Sequence, residues 1–147
     1  MAEYCILVAE DDDDASLLMQ EAFREAGIVE HVYIVKDGRE TINYLGGNET
    51  YGDRKIHPWP SLLLLDLKMP RVDGFGVLVW WRKNHKGRDL PIVVMSASNQ
   101  ERDIQRAMEL GATSYCVKPC SFQYLVHVAA ELRDRWLSVR RAPLARV

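Results

Sequence analysis

Short, unbroken apolar runs alternate along this chain with segments of helical periodicity. The apolar runs are Tyr4–Ala9, His31–Lys36, Leu62–Leu65, Ile92–Met95 and Ser114–Val117. Between them, helices are expected near Asp13–Ala26, Gly38–Leu45, Gly74–His85 and Asn99–Leu110, with a last one over Phe122–Leu137. Strands that are apolar throughout belong to a sheet covered on both faces, and strict β/α alternation makes that sheet parallel. The expected fold is therefore α/β: five βα units, doubly wound, forming one domain over residues 1–137. On the first helix Leu18, Ala22 and Ala26 share one face; on the last, Phe122, Leu125, Ala129, Leu132 and Trp136 do. Gly27, the Gly46-Gly47 pair and Gly111 are expected helix stops. Trp80 and Trp81 cannot both face inward on a helix, so Trp81 is expected beside Phe75 and Leu78, leaving Trp80 for a partner. There is no internal repeat.

Two segments stand outside this alternation. Gly46–Pro60 is a polar connection too long for an ordinary loop here, which points to an insertion or a contact surface. Ser138–Val147 carries three arginines and a proline and is expected to be frayed or partner-bound.

Composition narrows the function classes. A net charge of -2 leaves no basic face for nucleic acid. No apolar stretch approaches a membrane span, and Glu10 comes too early for a signal peptide, so a cytoplasmic protein is expected. Of three cysteines, Cys5 and Cys116 lie in apolar strands and are expected as buried free thiols; Cys120, near the fifth strand's polar end, reads as an inert thiol, with redox sensitivity as the alternative. Neither the cysteines nor the scattered His31, His57, His85 and His127 form a zinc pattern.

The informative residues are at strand ends. Ser61–Leu65 runs into Asp66, and Tyr4–Ala9 runs into Glu10-Asp11. A carboxylate at the end of a buried strand is costly without a nearby cation. The fourth strand ends at Ser96 and the fifth at Lys118. Ligands of doubly wound sheets bind beyond the carboxyl ends of the strands, where these groups converge. Clustered carboxylates suit a hard, oxygen-loving cation such as Mg2+. With an ammonium and a hydroxyl beside them they suit phosphoryl transfer, Asp66 being the nucleophile. Asp12–Asp14 extend the acidic run, and there the simpler reading is a helix start, since carboxylates favour helix N-termini. The run lacks the glycine and distal glutamate of a calcium-binding EF-hand loop.

These residues resemble the receiver domain of bacterial two-component response regulators. The matching segments are Ile6–Asp11, Leu64–Gly74, Met95–Ser98 and Tyr115–Pro119, and the resemblance spans roughly residues 4–137. It implies a flavodoxin-like fold with strand order 2-1-3-4-5. It also implies that Asp66 accepts a phosphoryl group from a kinase histidine. Asp11, Asp66 and the backbone carbonyl of Lys68 would bind Mg2+, with Glu10 acting through water. Lys118 would pair with the phosphate, Ser96 and Tyr115 would act as the switch, and the Lys118–Pro119 bond would be cis. The output would be the face formed by the fourth helix, fifth strand and fifth helix, binding a partner or a second copy. The long insertion and Arg135-Trp136-Leu137 further resemble single-domain regulators paired with bacterial phytochromes, which implies a light-sensing histidine kinase as phosphodonor.

The chain departs from the family pattern where Ser96 replaces the commoner threonine and Cys120 a bulkier residue. Lys68 and Ser98 occupy the two positions that tune dephosphorylation in the family. A phosphorelay intermediate and a phosphate-independent scaffold remain as alternatives, though a scaffold has no need of buried acids. A haloacid-dehalogenase-type hydrolase needs a second acid two residues after the nucleophile, where this chain has Lys68.

Overall fold

A computed structural model describes residues 5–28 and 31–146, with side-chain surroundings through residue 134. Five parallel strands form one sheet in the order β2-β1-β3-β4-β5. They are β1 (Ile6–Ala9), β2 (Val32–Val35), β3 (Leu62–Asp66), β4 (Ile92–Ser96) and β5 (Ser114–Val117). The helices are α1 (Asp13–Glu25), α2 (Gly38–Gly46), α3 (Gly74–Asn84), α4 (Glu101–Glu109) and α5 (Phe122–Arg146). This is the expected doubly wound, flavodoxin-like (βα)5 architecture.

Residue parity along the strands divides the core. Leu7, Leu63, Leu65, Ile92 and Val94 face one side, against Ile42 and Leu45 of α2, Val77 and Leu78 of α3 and Ala107 of α4. Ile6, Val8, Leu62, Leu64, Val93 and Met95 face the other, against Met19, Ala22 and Phe23 of α1 and Leu125 and Ala129 of α5. Alternate strand residues point to opposite faces, so a run such as Leu62–Leu65 must be apolar throughout to seal both. β1 pairs with β2 on one side and β3 on the other, so the chain reverses its direction of winding between β1 and β3. Glu10, Asp11 and Asp66 lie at that reversal.

Local signals set the element ends. Asp12 caps α1 by accepting from the Asp14 N–H, and Asp37 caps α2 by accepting from the Glu40 N–H. Gly47 ends α2 in the left-handed region (φ 67°), a conformation glycine adopts at no steric cost.

Four expectations need correction. Leu18 is 45% exposed; Ala22 and Ala26 are buried as expected, but Met19 and Phe23 complete the stripe of α1 in place of Leu18. Trp80 and Trp81 both lie half-buried against the α2–α3 side of the core, because large indoles at the edge of a helix face can each cover it partly. α5 runs on through Arg146, past the expected end at Leu137, since no glycine or proline interrupts residues 137–142. Cys116 is not a free thiol: its sulfur is bonded to that of Cys120, which the turn after β5 brings back over the strand. The expectations on Tyr4 and on the side chains of Arg135, Trp136 and Leu137 lie outside the described residues.

The long connection is a built structure. It contains a 3-10 turn, Glu49–Tyr51, and is organised by Arg54. The Arg54 guanidinium donates to the carbonyls of Tyr44 (2.7 Å), Leu45 (3.3 Å) and His57 (3.1 Å). It also stacks 3.6 Å over the Trp59 ring.

Candidate functional site

The site is assembled where β1, β3, β4 and β5 end. Glu10 is fully enclosed and Asp66 is 5% exposed, whereas Asp11 opens to solvent. One carboxylate oxygen from each of Glu10, Asp11 and Asp66 lies within 4.8 Å of the other two. The Lys118 ammonium reaches this cluster from β5, 2.6 Å from Glu10 Oε1 and 3.3 Å from Asp66 Oδ2. The Asp12 N–H donates to Glu10 Oε2 (3.2 Å) and the Lys68 N–H to Asp66 Oδ1 (3.2 Å). The Lys118–Pro119 bond is cis.

The electrostatics follow from three acids facing one base. Burial drives the Glu10 carboxyl above the ordinary glutamate value; Lys118 opposes the rise and Asp66 adds to it. Burial pulls on Lys118 in the opposite sense, but Glu10 and Asp66 together outweigh it and hold the ammonium above the ordinary lysine value. The cluster therefore keeps one half-buried cation and an excess of carboxylate oxygen. That donor set fits a small, hard divalent cation.

Ser96 is buried at the end of β4, its Oγ accepting from the Ser98 N–H (3.1 Å). Tyr115 is half-buried on β5, its hydroxyl donating to the Ser98 carbonyl (2.9 Å). Ser98 Oγ donates to Asp103 Oδ2 (2.6 Å) and accepts from the Gln100 N–H, which ties this loop to the start of α4. Glu10, Asp11, Asp66, Ser96 and Lys118 thus lie at the carboxyl ends of their strands, while Tyr115 sits within β5 opposite Val94 and is joined to the Ser98 loop by its hydroxyl. The Lys68 side chain is exposed, and its backbone N–H is the group that touches the site, donating to Asp66. Asp12 caps a helix, and Asp13 pairs with Lys36 at 2.7 Å, consistent with the helix-start reading of that run.

Two supports were not foreseen. Arg71, just past β3, holds a positive φ of 68°, and its guanidinium grips Asp37 through Nε (3.0 Å) and Nη2 (3.2 Å). This charge-assisted pair offsets the backbone strain, of order 1 kcal/mol, and fixes the loop after Asp66. Gly74 packs against the backbone at Asp66 so closely that a Cβ there would lie 2.6 Å from the Asp66 carbonyl oxygen. The Asp73-Gly74 step was the available signal for the second; Arg71 and Asp37 are too far apart in sequence for local pattern to pair them.

The chain is similar to known proteins over nearly its whole length. The family model described as the response regulator receiver domain matches residues 6–130. A probable methanogenesis regulatory protein, FilR2 of Methanothrix harundinacea, is 33% identical over 95% of this chain and 88% of its own length. Response regulator Rcp1 of Synechocystis is 30% identical over 95% of this chain and 93% of its own. A structure of an Mn2+-bound response regulator Rcp1 superimposes with a TM-score of 0.75 over 92% of this chain and 95% of that one, at 30% identity. The phosphorylated cyanobacterial phytochrome response regulator RcpA superimposes with a TM-score of 0.77 over 94% of this chain and 96% of that one, at 30% identity. The chain belongs to the response regulator receiver family of signalling domains.

Proposed function

We propose that this chain is a phosphorylation-driven switch in which Asp66 accepts a phosphoryl group from a sensor histidine kinase. The observation that carries this reading is the Asp66 carboxylate, enclosed at a strand end within 4.8 Å of the Glu10 and Asp11 carboxylate oxygens and 3.3 Å from an ammonium. An Asp66 oxygen attacks phosphorus, the bond from phosphorus to the donor's imidazole nitrogen breaks, and the phosphoryl group moves to the carboxylate. Asp11, Asp66 and the Lys68 backbone carbonyl would hold Mg2+, with Glu10 acting through water. Bound there, the ion offsets the acidic charge and clamps phosphoryl oxygens.

Lys118 then pairs with the transferred group and the Ser96 hydroxyl turns to donate to it. Movement of Ser96 disturbs the Ser98 loop, to which the Tyr115 hydroxyl is bonded. The change therefore reaches the α4–β5–α5 face, where Met108 and Val117 are exposed. That face is the proposed surface for a second copy or a partner protein. The likeness to RcpA, a cyanobacterial phytochrome response regulator, favours a bacterial phytochrome as the kinase, and we place the chain in the cytoplasm with that kinase. Among the described residues no helix is long and apolar enough to cross a membrane.

The test is intact mass after incubation with Mg2+ and acetyl phosphate, beside Asp66→Asn, with light scattering before and after. One phosphoryl gain, absent in Asp66→Asn, supports the reading, and growth in size identifies dimerisation as an output. No gain from acetyl phosphate or from a phytochrome kinase favours a constitutive scaffold.

A further inference from the structure

Cys116 lies on β5 and Cys120 just beyond Pro119, and their sulfurs are bonded. Their Cα atoms are 6.1 Å apart, within the span of a disulfide. The bridge encloses Val117, Lys118 and Pro119, so the half-buried ammonium that pairs with Glu10 and Asp66 sits at the centre of the loop it closes. Both cysteines are half-buried against the α1–α5 side of the core. Cys120 also lines an open groove of about 270 Å³, together with Asp12, Leu18, Lys118 and Pro119. A small molecule can therefore reach this sulfur from solvent. The third cysteine does not compete: Cys5 is 1% exposed, and burial pushes its thiol up to about 11.

We propose that Cys116 and Cys120 are a reversible dithiol–disulfide site, served by small thiols and disulfides of the glutathione class, whose closure slows phosphorylation of Asp66. Oxidation proceeds by exchange. The Cys120 thiolate attacks one sulfur of the small disulfide, forming a mixed disulfide and releasing one small thiolate. The Cys116 thiolate attacks the Cys120 sulfur, closing the bridge and releasing the second. Two protein thiols are oxidised, one small disulfide is reduced to two thiols, and the two protons pass to them. Reduction by two small thiols is the reverse. The slowing arises because Lys118 must turn from Glu10 toward a phosphoryl group on Asp66. A closed bridge restrains the backbone on both sides of Lys118. This rate effect rests on Asp66 being the phosphoacceptor; the bridge does not.

The experiment treats the full chain with glutathione disulfide, then with reduced glutathione. It follows intact mass, alkylation of each cysteine, and the rate of phosphoryl gain from acetyl phosphate with Mg2+. The expected result is loss of two hydrogens without a glutathione adduct, alkylation blocked at Cys116 and Cys120 in the oxidised state, and reversal by reduced glutathione. The bridged form should accept phosphoryl about fivefold more slowly, the lower end of ordinary coupling between sites. Cys120→Ser should keep the fast rate in both treatments, and Cys116→Ser should stop at the glutathione adduct on Cys120 without closure. In the unsubstituted chain, a stable adduct on Cys120 without closure, or no oxidation of the folded chain, overturns the site. A bridge that forms and leaves the rate unchanged overturns the coupling. No phosphoryl gain in either state overturns the coupling together with the Asp66 reading, while the mass still decides the bridge.

Discussion

Replacing Lys118 by methionine removes the cation that the acidic cluster is built around. Glu10 has no exposed side-chain surface and Asp66 has 6%, so both carboxylates would remain without their ammonium at 2.6 and 3.3 Å. Removing one partner of a fully buried pair costs about 3–5 kcal/mol. Lys118 is 24% exposed, and water entering beside Asp11 screens part of that loss, so about 2–3 kcal/mol is expected. For a chain of this size that lowers the melting temperature by about 5–10 °C.

The pH dependence carries the sign. Burial raises the Glu10 carboxyl above its ordinary 4.5, so its contribution is fully present below that value and is lost as pH rises through the folded value. Lys118 limits that rise; without it the loss is larger. The gap between the two proteins should therefore be small near pH 4 and wide at pH 7.5. Lys118 itself is held above its ordinary 10.5, so its contribution persists through neutral pH and fades only as pH climbs through the raised value. Thermal melts of both proteins in EDTA across pH 4–8 read this directly. Equal stability at pH 7.5, or a gap that widens toward acid, would mean that Lys118 does not hold the two carboxylates in their charged forms.

Three further outcomes are expected. Mg2+ at a hundredfold over its dissociation constant should stabilise the protein by about 2.7 kcal/mol, and Asp11→Asn should melt higher in EDTA yet gain little from Mg2+ in the same assay. Gly74→Ala should lose about 2–3 kcal/mol in urea titration, because its methyl meets the Asp66 carbonyl oxygen at 2.6 Å and the Leu67 Cα at 2.7 Å; a loss below about 0.5 kcal/mol would contradict the close packing. Arg54→Ala should lose about 2 kcal/mol by the same measurement, through three carbonyl hydrogen bonds and the stack on Trp59. Removing Arg54 should leave phosphorylation of Asp66 intact, since the segment it organises is remote from the site.

The sheet and its functional edge were legible because burial leaves a strong trace. Leu62–Leu65 can only be apolar throughout if both faces are covered, and Asp66 at its end is conspicuous for the same reason. Topology then brought Glu10, Asp11, Ser96 and Lys118 to that edge, since all parallel strands end there. Side-chain direction on marginal helix faces was less legible. Leu18 and Met19 are both apolar, and only the packing of α1 on the sheet selects Met19. Long-range polar anchors left no local pattern at all. Arg54 reads as one more charge in a polar segment until the carbonyls ending α2 are placed around it. The Cys116–Cys120 bond depends on a turn whose path the spacing of four residues does not state.

The most direct measurement locates the phosphoryl group rather than weighing it. The protein, charged with acetyl phosphate and Mg2+, is reduced with borohydride, which converts an aspartyl phosphate to homoserine, and its peptides are sequenced by mass spectrometry. Homoserine is expected at position 66 and at no other acidic residue, and EDTA should abolish it. Homoserine at Asp11 or elsewhere, or a phosphoryl gain with Asp66 unchanged, would contradict Asp66 as the phosphoacceptor.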